Sequence, residues 1–167
     1  TLTSDNNNGI TTFGGTVEIT GGSITANGAG FDGVSDDDAA ALQIFSEDFT
    51  STGKGANVTI SGGELESYAY AASTNNQTSG DSNLTITGGT LTSVYSAIYW
   101  PSAGTLTIGR EGSSDGPTIS TGGSALEICS GTLNIYGGTL DGNSTGRQSA
   151  CTTDRPCCSI TGVNPAV

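Results

Sequence analysis

The stretch Asn83-Leu-Thr-Ile-Thr-Gly-Gly-Thr-Leu91 decides the fold of this 167-residue chain, because it returns several times along the sequence. Three close copies and one shortened copy are found at Thr16–Ile24, Asn57–Leu65, Thr132–Leu140 and, shortened, Thr105–Gly109. A unit that repeats every roughly 20–40 residues is the signature of a solenoid or an array. Apolar and polar residues alternate with a period of two inside each copy, which predicts a β-strand.

Each copy extends into a longer unit with three apolar segments. The first strand carries an inward apolar pair, as in Val17/Ile19, Val58/Ile60, Leu84/Ile86, Leu106/Ile108 and Leu133/Ile135. A Gly-Gly pair then allows a sharp turn, and a short second strand holds one apolar residue: Ile24, Leu65, Leu91, Ile119 or Leu140. A third strand aligns at Ala41–Ile44, Ala97–Trp100 and Ala125–Ile128, with residues 9–12 in the same slot.

Three short strands joined by tight corners predict an all-β solenoid, the parallel β-helix, in which each coil buries its apolar row by stacking on the next. At about 4.8 Å per coil, about five to six coils form a short rod. We expect the body to span residues 1–142 and a Cys-containing tail or cap to span 143–167, where the repeat breaks down. A β-propeller blade, the competing interpretation, needs about 40 residues per repeat.

Composition and charge exclude several partners. The net charge is −12, with four Lys plus Arg against 16 acidic residues, so the chain lacks the basic clusters that bind nucleic acid. No apolar run is long enough to span a membrane. The sequence contains neither a signal peptide nor an initiator Met, so we expect a mature or excised product. We expect an extracellular or cell-surface location.

The four cysteines, Cys129, Cys151, Cys157 and Cys158, predict two disulfides in such a compartment. A bridge between the neighbours Cys157 and Cys158 is strained. Cys129 therefore pairs with one of them and Cys151 with the other, which links the tail to the last coils. Zinc binding is the weaker alternative, because the chain has no His and no paired CxxC spacing.

Four Asn-x-Ser/Thr sequons predict glycosylation if the source is eukaryotic: Asn57, Asn76, Asn83 and Asn143. Asn57 and Asn83 occupy the same slot in successive copies, where two glycans would crowd each other. Asn76 and Asn143 fall in loops and are the better acceptors.

An acidic insertion is the densest chemical feature of the sequence. Asp32, Asp36, Asp37 and Asp38 lie within seven consecutive residues, and carboxylates together with loop carbonyls are the ligands that calcium takes. These four residues are the candidate Ca²⁺ ligands. The alternative is a solvated acidic loop, since the spacing is not that of an EF-hand.

Aromatic residues cluster in two neighbouring copies. Tyr68, Tyr70, Tyr95 and Tyr99 are the candidate carbohydrate contacts, because exposed rings stack on sugar faces. Tyr99 alternates with inward Ile98 and is expected to point outward, in line with Gln43 and Glu127. Trp100 aligns with inward Ile44 and Ile128, which favours core packing.

Catalysis and ice binding are the remote alternatives. A lyase needs a basic residue that abstracts a proton. The basic residues of this sequence are Lys54, Arg110, Arg147 and Arg155. A hydrolase needs two convergent carboxylates, yet Glu18, Glu64, Glu66 and Glu127 do not align in one column. Ice binding would need a flat Thr ladder, and the column Thr59, Thr85 and Thr107 is interrupted by Glu18 and Asn134.

These repeats, with the Asp32-Gly-Val-Ser-Asp36 loop, resemble the right-handed β-helix carbohydrate-binding proteins of polysaccharide-degrading bacteria. The resemblance covers about residues 1–142. It implies a pectate-lyase-like, right-handed fold without catalytic activity, polysaccharide as a partner, and bound calcium.

We expect a non-catalytic structural protein that contacts polysaccharide along its sides. Thr1–Ser4 and Thr139–Gly142 both match the second strand, so the body holds close to a whole number of coils. An uncapped sheet edge templates a further chain, which predicts head-to-tail stacking of copies into filaments. A calcium-assisted polysaccharide-binding module is the alternative.

Overall fold

The computed structural model describes residues 1–5, 7–28, 39–45, 55–74 and 82–143, together with the backbone of 158–160. Every regular element in these residues is a β-strand, and none of them forms a helix that could cross a membrane. The strands are β1 Leu2–Ser4, β2 Ile10–Thr12, β3 Gly15–Ala26, β4 Ala40–Ile44, β5 Ala56–Ser67, β6 Tyr70–Thr74, β7 Ser82–Ile86, β8 Thr90–Ser93, β9 Ser96–Trp100, β10 Gly104–Ile108, β11 Thr118–Thr121, β12 Ser124–Ile128, β13 Thr132–Ile135, β14 Thr139–Gly142 and β15 Cys158–Ile160.

The strands form two curled sheets in which almost all pairs are parallel. Sheet A has nine strands: the path β13-β10-β7-β5-β8-β11-β14, with β3 paired to β5 and β1 paired to β3. Sheet B has six strands in the order β15-β12-β9-β6-β4-β2. Strands that occupy the same slot in successive copies are neighbours, an arrangement compatible with a β-helix-like solenoid.

The register confirms the alignment predicted from the repeats. In sheet A, Val58, Leu84, Leu106 and Leu133 lie opposite one another in successive strands. A second column of sheet A holds Leu65, Leu91, Ile119 and Leu140, and a column of sheet B holds Leu42, Ala72, Ile98 and Leu126. β1 pairs with the second half of β3, as expected for a chain that opens on a second strand.

These columns meet in one narrow core. Leu84, Leu91, Ile98 and Leu106 are completely buried and belong to one continuous cluster. Burial of apolar side chains contributes about 25 cal/mol per Å². A chain of low overall hydrophobicity thus builds a core, because every repeat places its apolar residues on the same side.

The Gly-Gly turn predicted between the first and second strands lies inside one continuous strand in two copies. β3 and β5 each run unbroken for 12 residues through their Gly-Gly pairs. Backbone pairing between β3 and β5 continues past the pair, with register shifts between Ile19 and Ser23. Gly22 and Gly63 have φ values of 87° and 94°, so each bends the strand where another residue would be strained.

The tail adds a strand that the repeats do not predict. β15 pairs antiparallel with β12, with Ile160 opposite Leu126 and Cys158 opposite Ile128. Both edges of β12 are therefore occupied, one by β9 and the other by the tail.

Candidate functional site

Two of the predicted tyrosines form a pair at the corner between the second and third strands. Tyr68 follows β5, and Tyr95 lies between β8 and β9 one copy later. Their rings meet edge to face, with centroids 5.2 Å apart and planes at 86°. The Tyr95 hydroxyl donates a hydrogen bond of 3.5 Å to the Tyr68 hydroxyl. The Tyr68 side chain is 40% exposed, so the pair presents aromatic surface to solvent.

A shallow groove of about 200 Å³ opens beside this pair, and we call it the tyrosine groove. Its lining residues come from three successive coils: Thr25, Ala26, Asn27, Glu66, Ser67, Tyr68 and Val94. Val94 is 49% exposed, and Asn27 and Glu66 are also exposed. The groove thus combines apolar surface with hydroxyl, amide and carboxylate groups.

The backbone beneath Tyr95 is fixed by the next coil. The Thr121 hydroxyl donates to the Tyr95 carbonyl at 3.0 Å and accepts from the Ser93 hydroxyl at 2.9 Å. Gly123 packs so closely beneath the Tyr95 carbonyl that a Cβ would overlap with its oxygen. Because these contacts fix the backbone of the corner, the groove is a preorganised surface.

The other two tyrosines pair on the outer face of sheet B. The rings of Tyr70 and Tyr99 are stacked with centroids 5.3 Å apart, and both side chains are half-buried. The register confirms that Tyr99 aligns with Gln43 and Glu127, but those two side chains are 8% exposed each. This face is mostly buried, so Tyr70 and Tyr99 offer much less surface than Tyr68.

The four outward carboxylates lie in four different columns of the sheets. Glu18 lies opposite Thr59, Glu64 opposite Thr90, Glu66 opposite Thr92, and Glu127 opposite Tyr99. Glu127 is buried and accepts a hydrogen bond of 2.7 Å from the Ser96 hydroxyl. The prediction that these four carboxylates do not align in one column is therefore confirmed.

Trp100 is completely buried, which confirms its interpretation as a core residue. Its Nε1 and the Thr74 hydroxyl are buried and have no hydrogen-bond partner among the residues that the structure describes. A stacked pair that the sequence analysis missed lies in earlier copies: Phe13 and Phe45, with centroids 4.8 Å apart and planes at 9°. Each Phe directly follows a third strand, so aligning the residue after that strand would have revealed the pair.

The sequon asparagines Asn57 and Asn83 are joined by a hydrogen bond. The Asn83 amide donates to Asn57 Oδ1 at 3.0 Å, and Asn83 Oδ1 accepts from the Thr105 N–H at 3.1 Å. A glycan on Asn83 would use the nitrogen that donates this bond. Asn143 is exposed directly after β14, and Asn76 lies outside the described residues.

The calcium prediction falls outside the part of the chain that the structure describes, because Asp32, Asp36, Asp37 and Asp38 belong to none of the described ranges. Within those ranges, no group of three or more acidic or Cys side chains could hold a metal ion. Cys151 and Cys157 also lie outside them. Cys129 follows β12, is half-buried, and is not a free thiol.

The threonine column predicted for sheet A is present. Thr59, Thr85 and Thr107 lie opposite one another, with Glu18 and Asn134 at the two ends. A second column, Thr90, Thr118 and Thr139, lies on the second strands and is exposed.

Comparison with known proteins adds nothing to this description, since no family model, curated protein or solved structure matches the chain.

Proposed function

We propose that this protein is a non-catalytic, extracellular polysaccharide-binding protein and that the tyrosine groove is its contact with sugar. The observation that carries the proposal is the edge-to-face pair of exposed Tyr68 and half-buried Tyr95 on a fixed corner. Aromatic rings with a polar tip pack against the apolar faces of sugar rings while their hydroxyls stay in water. Asn27 and Thr25 supply hydrogen-bonding groups beside them.

The proposal includes a right-handed parallel β-helix as the scaffold. Parallel pairing between strands of successive copies supports it, because each connection then returns to the same sheet one strand further on. Such parallel crossovers are right-handed in nearly all proteins. In this scaffold, residues one coil apart lie about 4.8 Å from each other. A sugar chain along the groove would meet several coils at once.

Replacing Tyr68 by Ala is expected to weaken polysaccharide binding about two- to tenfold, because an aromatic contact contributes about 0.5–1.5 kcal/mol. Affinity gels that contain a neutral β-glucan, a chitosan or a polygalacturonate would measure the retention. Tyr136→Ala is the matched control, since Tyr136 is 42% exposed but follows β13, outside the groove. Equal retention of the two variants and the wild type on every gel would contradict the proposal.

We do not extend the proposal to head-to-tail filaments. Direct stacking of a second copy requires free strand edges in both sheets at the contact. β15 already pairs with the edge of β12 in sheet B, so that edge cannot accept a parallel strand unless the tail moves away.

Calcium in the acidic insertion is a further part of the proposal, supported by the chemistry of Asp32 and Asp36–Asp38. Chelation is expected to lower the thermal midpoint, because a ligand at a hundredfold excess over its Kd stabilises the folded state by about 2.7 kcal/mol. Differential scanning calorimetry in calcium and in chelator would measure this change. An Asp37→Asn variant should respond less, whereas an identical midpoint in both buffers would contradict a bound ion.

We also propose that disulfides link the tail to the last coils. Two observations support this. Cys129 is not a free thiol. Cys158 lies opposite Ile128, the residue that directly precedes Cys129 in the chain. Intact-mass measurement without reductant should give a mass lower than that of the reduced chain by the hydrogens of four thiols. Four cysteines that all react with an alkylating reagent in the native protein would contradict the linkage.

A further inference from the structure

We propose that the tyrosine groove selects sugars that carry a protonated amine, of the glucosamine type, over N-acetylated sugars and uronic acids. This inference rests on the proposed function and adds the chemical class of the ligand. It is carried by the carboxylate of Glu66, which lines the groove together with the aromatic ring of Tyr68.

The charged groups at the groove are carboxylates. Glu66 is exposed on the groove wall, two residues before Tyr68. A second carboxylate, that of Asp5, does not line the groove but accepts a hydrogen bond of 3.3 Å from the amide of the lining residue Asn27. Arg110, the one basic residue in the described ranges, follows β10 at the corner between first and second strands, whereas the groove lies at the corner between second and third strands.

A carboxylate beside an aromatic ring is suited to an ammonium group. The ring face attracts a cation within about 6 Å of its centroid, with a gain of about 0.5–2 kcal/mol. The carboxylate adds a charge-assisted hydrogen bond, which is roughly twice as strong as a neutral one. Glu66 and Tyr68 are two residues apart and both line the groove, so one amine can contact both groups.

An anionic sugar meets the opposite situation. Its carboxylate would approach Glu66, and none of the described residues that line the groove is basic, in a protein of net charge −12. Like charges that are brought together without compensation weaken binding. An N-acetylated sugar keeps the ring contact but loses the charge, so it should bind with intermediate strength.

The test is calorimetric titration of the intact protein with glucosamine oligomers and with N-acetylglucosamine oligomers of equal length, at about pH 6, where the sugar amine is protonated. The glucosamine oligomer is expected to bind about tenfold more tightly. Glu66→Gln is expected to remove that preference, so that the variant binds the two oligomers with equal affinity.

Glu64→Gln is the matched control for long-range attraction. Glu64 is exposed on the same strand, two residues before Glu66, and does not line the groove. Both variants lose one negative charge, so only a local contact distinguishes them. Equal effects of the two substitutions, or equal affinity of the wild type for the two oligomers, would overturn the selection of amino sugars.

Failure of this inference and failure of the proposed function give different results. If only the amine selection is wrong, the acetylated oligomer or a neutral glucan binds and Tyr68→Ala weakens that binding. If the proposed function is wrong, none of the sugars shows binding that depends on Tyr68, and the amine selection is overturned with it.

Discussion

Gly104→Ala is expected to destabilise the fold by about 2–5 kcal/mol, which is a large part of the stability of a domain of this size. Gly104 begins β10, has a φ of 101°, and lies opposite Ser82 of β7. A Cβ at this position would overlap with the Ser82 carbonyl oxygen. The left-handed backbone costs a non-glycine residue about 1–2 kcal/mol, and relieving the overlap requires separation of two paired strands at a further cost of about 1–3 kcal/mol.

Gly112→Ala separates these two contributions. Gly112 has a φ of 78°, but a Cβ there meets nothing within 4 Å. Its substitution should therefore cost only the backbone strain, about 1–2 kcal/mol. Urea denaturation of the two variants, analysed with the slope as well as the midpoint, measures the difference. Equal losses would mean that β7 and β10 do not approach as closely as described.

The repeats predict the inside of the molecule accurately for a physical reason. A one-residue slip of any strand would turn its apolar side chains to solvent. Val58, Leu84 and Leu106 therefore allow one register, and the sequence alignment of these residues is the register of the sheet. The same reasoning predicts that Trp100 is buried, because its column already contains Ile128.

Features outside the repeat are less predictable. β15 pairs antiparallel with β12, and nothing in the Cys-rich tail shares the repeated pattern that would indicate a partner. The alternation of apolar and polar residues along a strand also specifies which side of the sheet a side chain faces, but not which residues cover that side. Tyr99 points away from the core as predicted, yet its outward neighbours Gln43 and Glu127 are buried. The groove beside Tyr68 depends on how three corners stack, which no single copy of the repeat encodes.

Leu106→Ala and Leu133→Ala are expected to differ in their cost, although they make the same chemical change in the same column. Leu106 lies between Leu84 and Leu133 and is completely buried. Leu133 contacts the core from one side and is half-buried. Truncation of a buried Leu removes its transfer free energy and leaves a cavity, which together cost about 2–5 kcal/mol.

The predicted order follows from the way a stacked fold is stabilised. Each repeat in a solenoid gains stability from its contacts with the repeats on both sides. Leu106→Ala weakens the interfaces with β7 and β13, so its loss should reach the full range of about 2–5 kcal/mol. Leu133→Ala weakens one described interface and opens a site that solvent already reaches, so a loss of about half that size is expected. Urea midpoints of the two variants measure the order. A larger loss for Leu133→Ala would mean that residues outside the described ranges cover β13 and that the last described coil is as well packed as the coils before it.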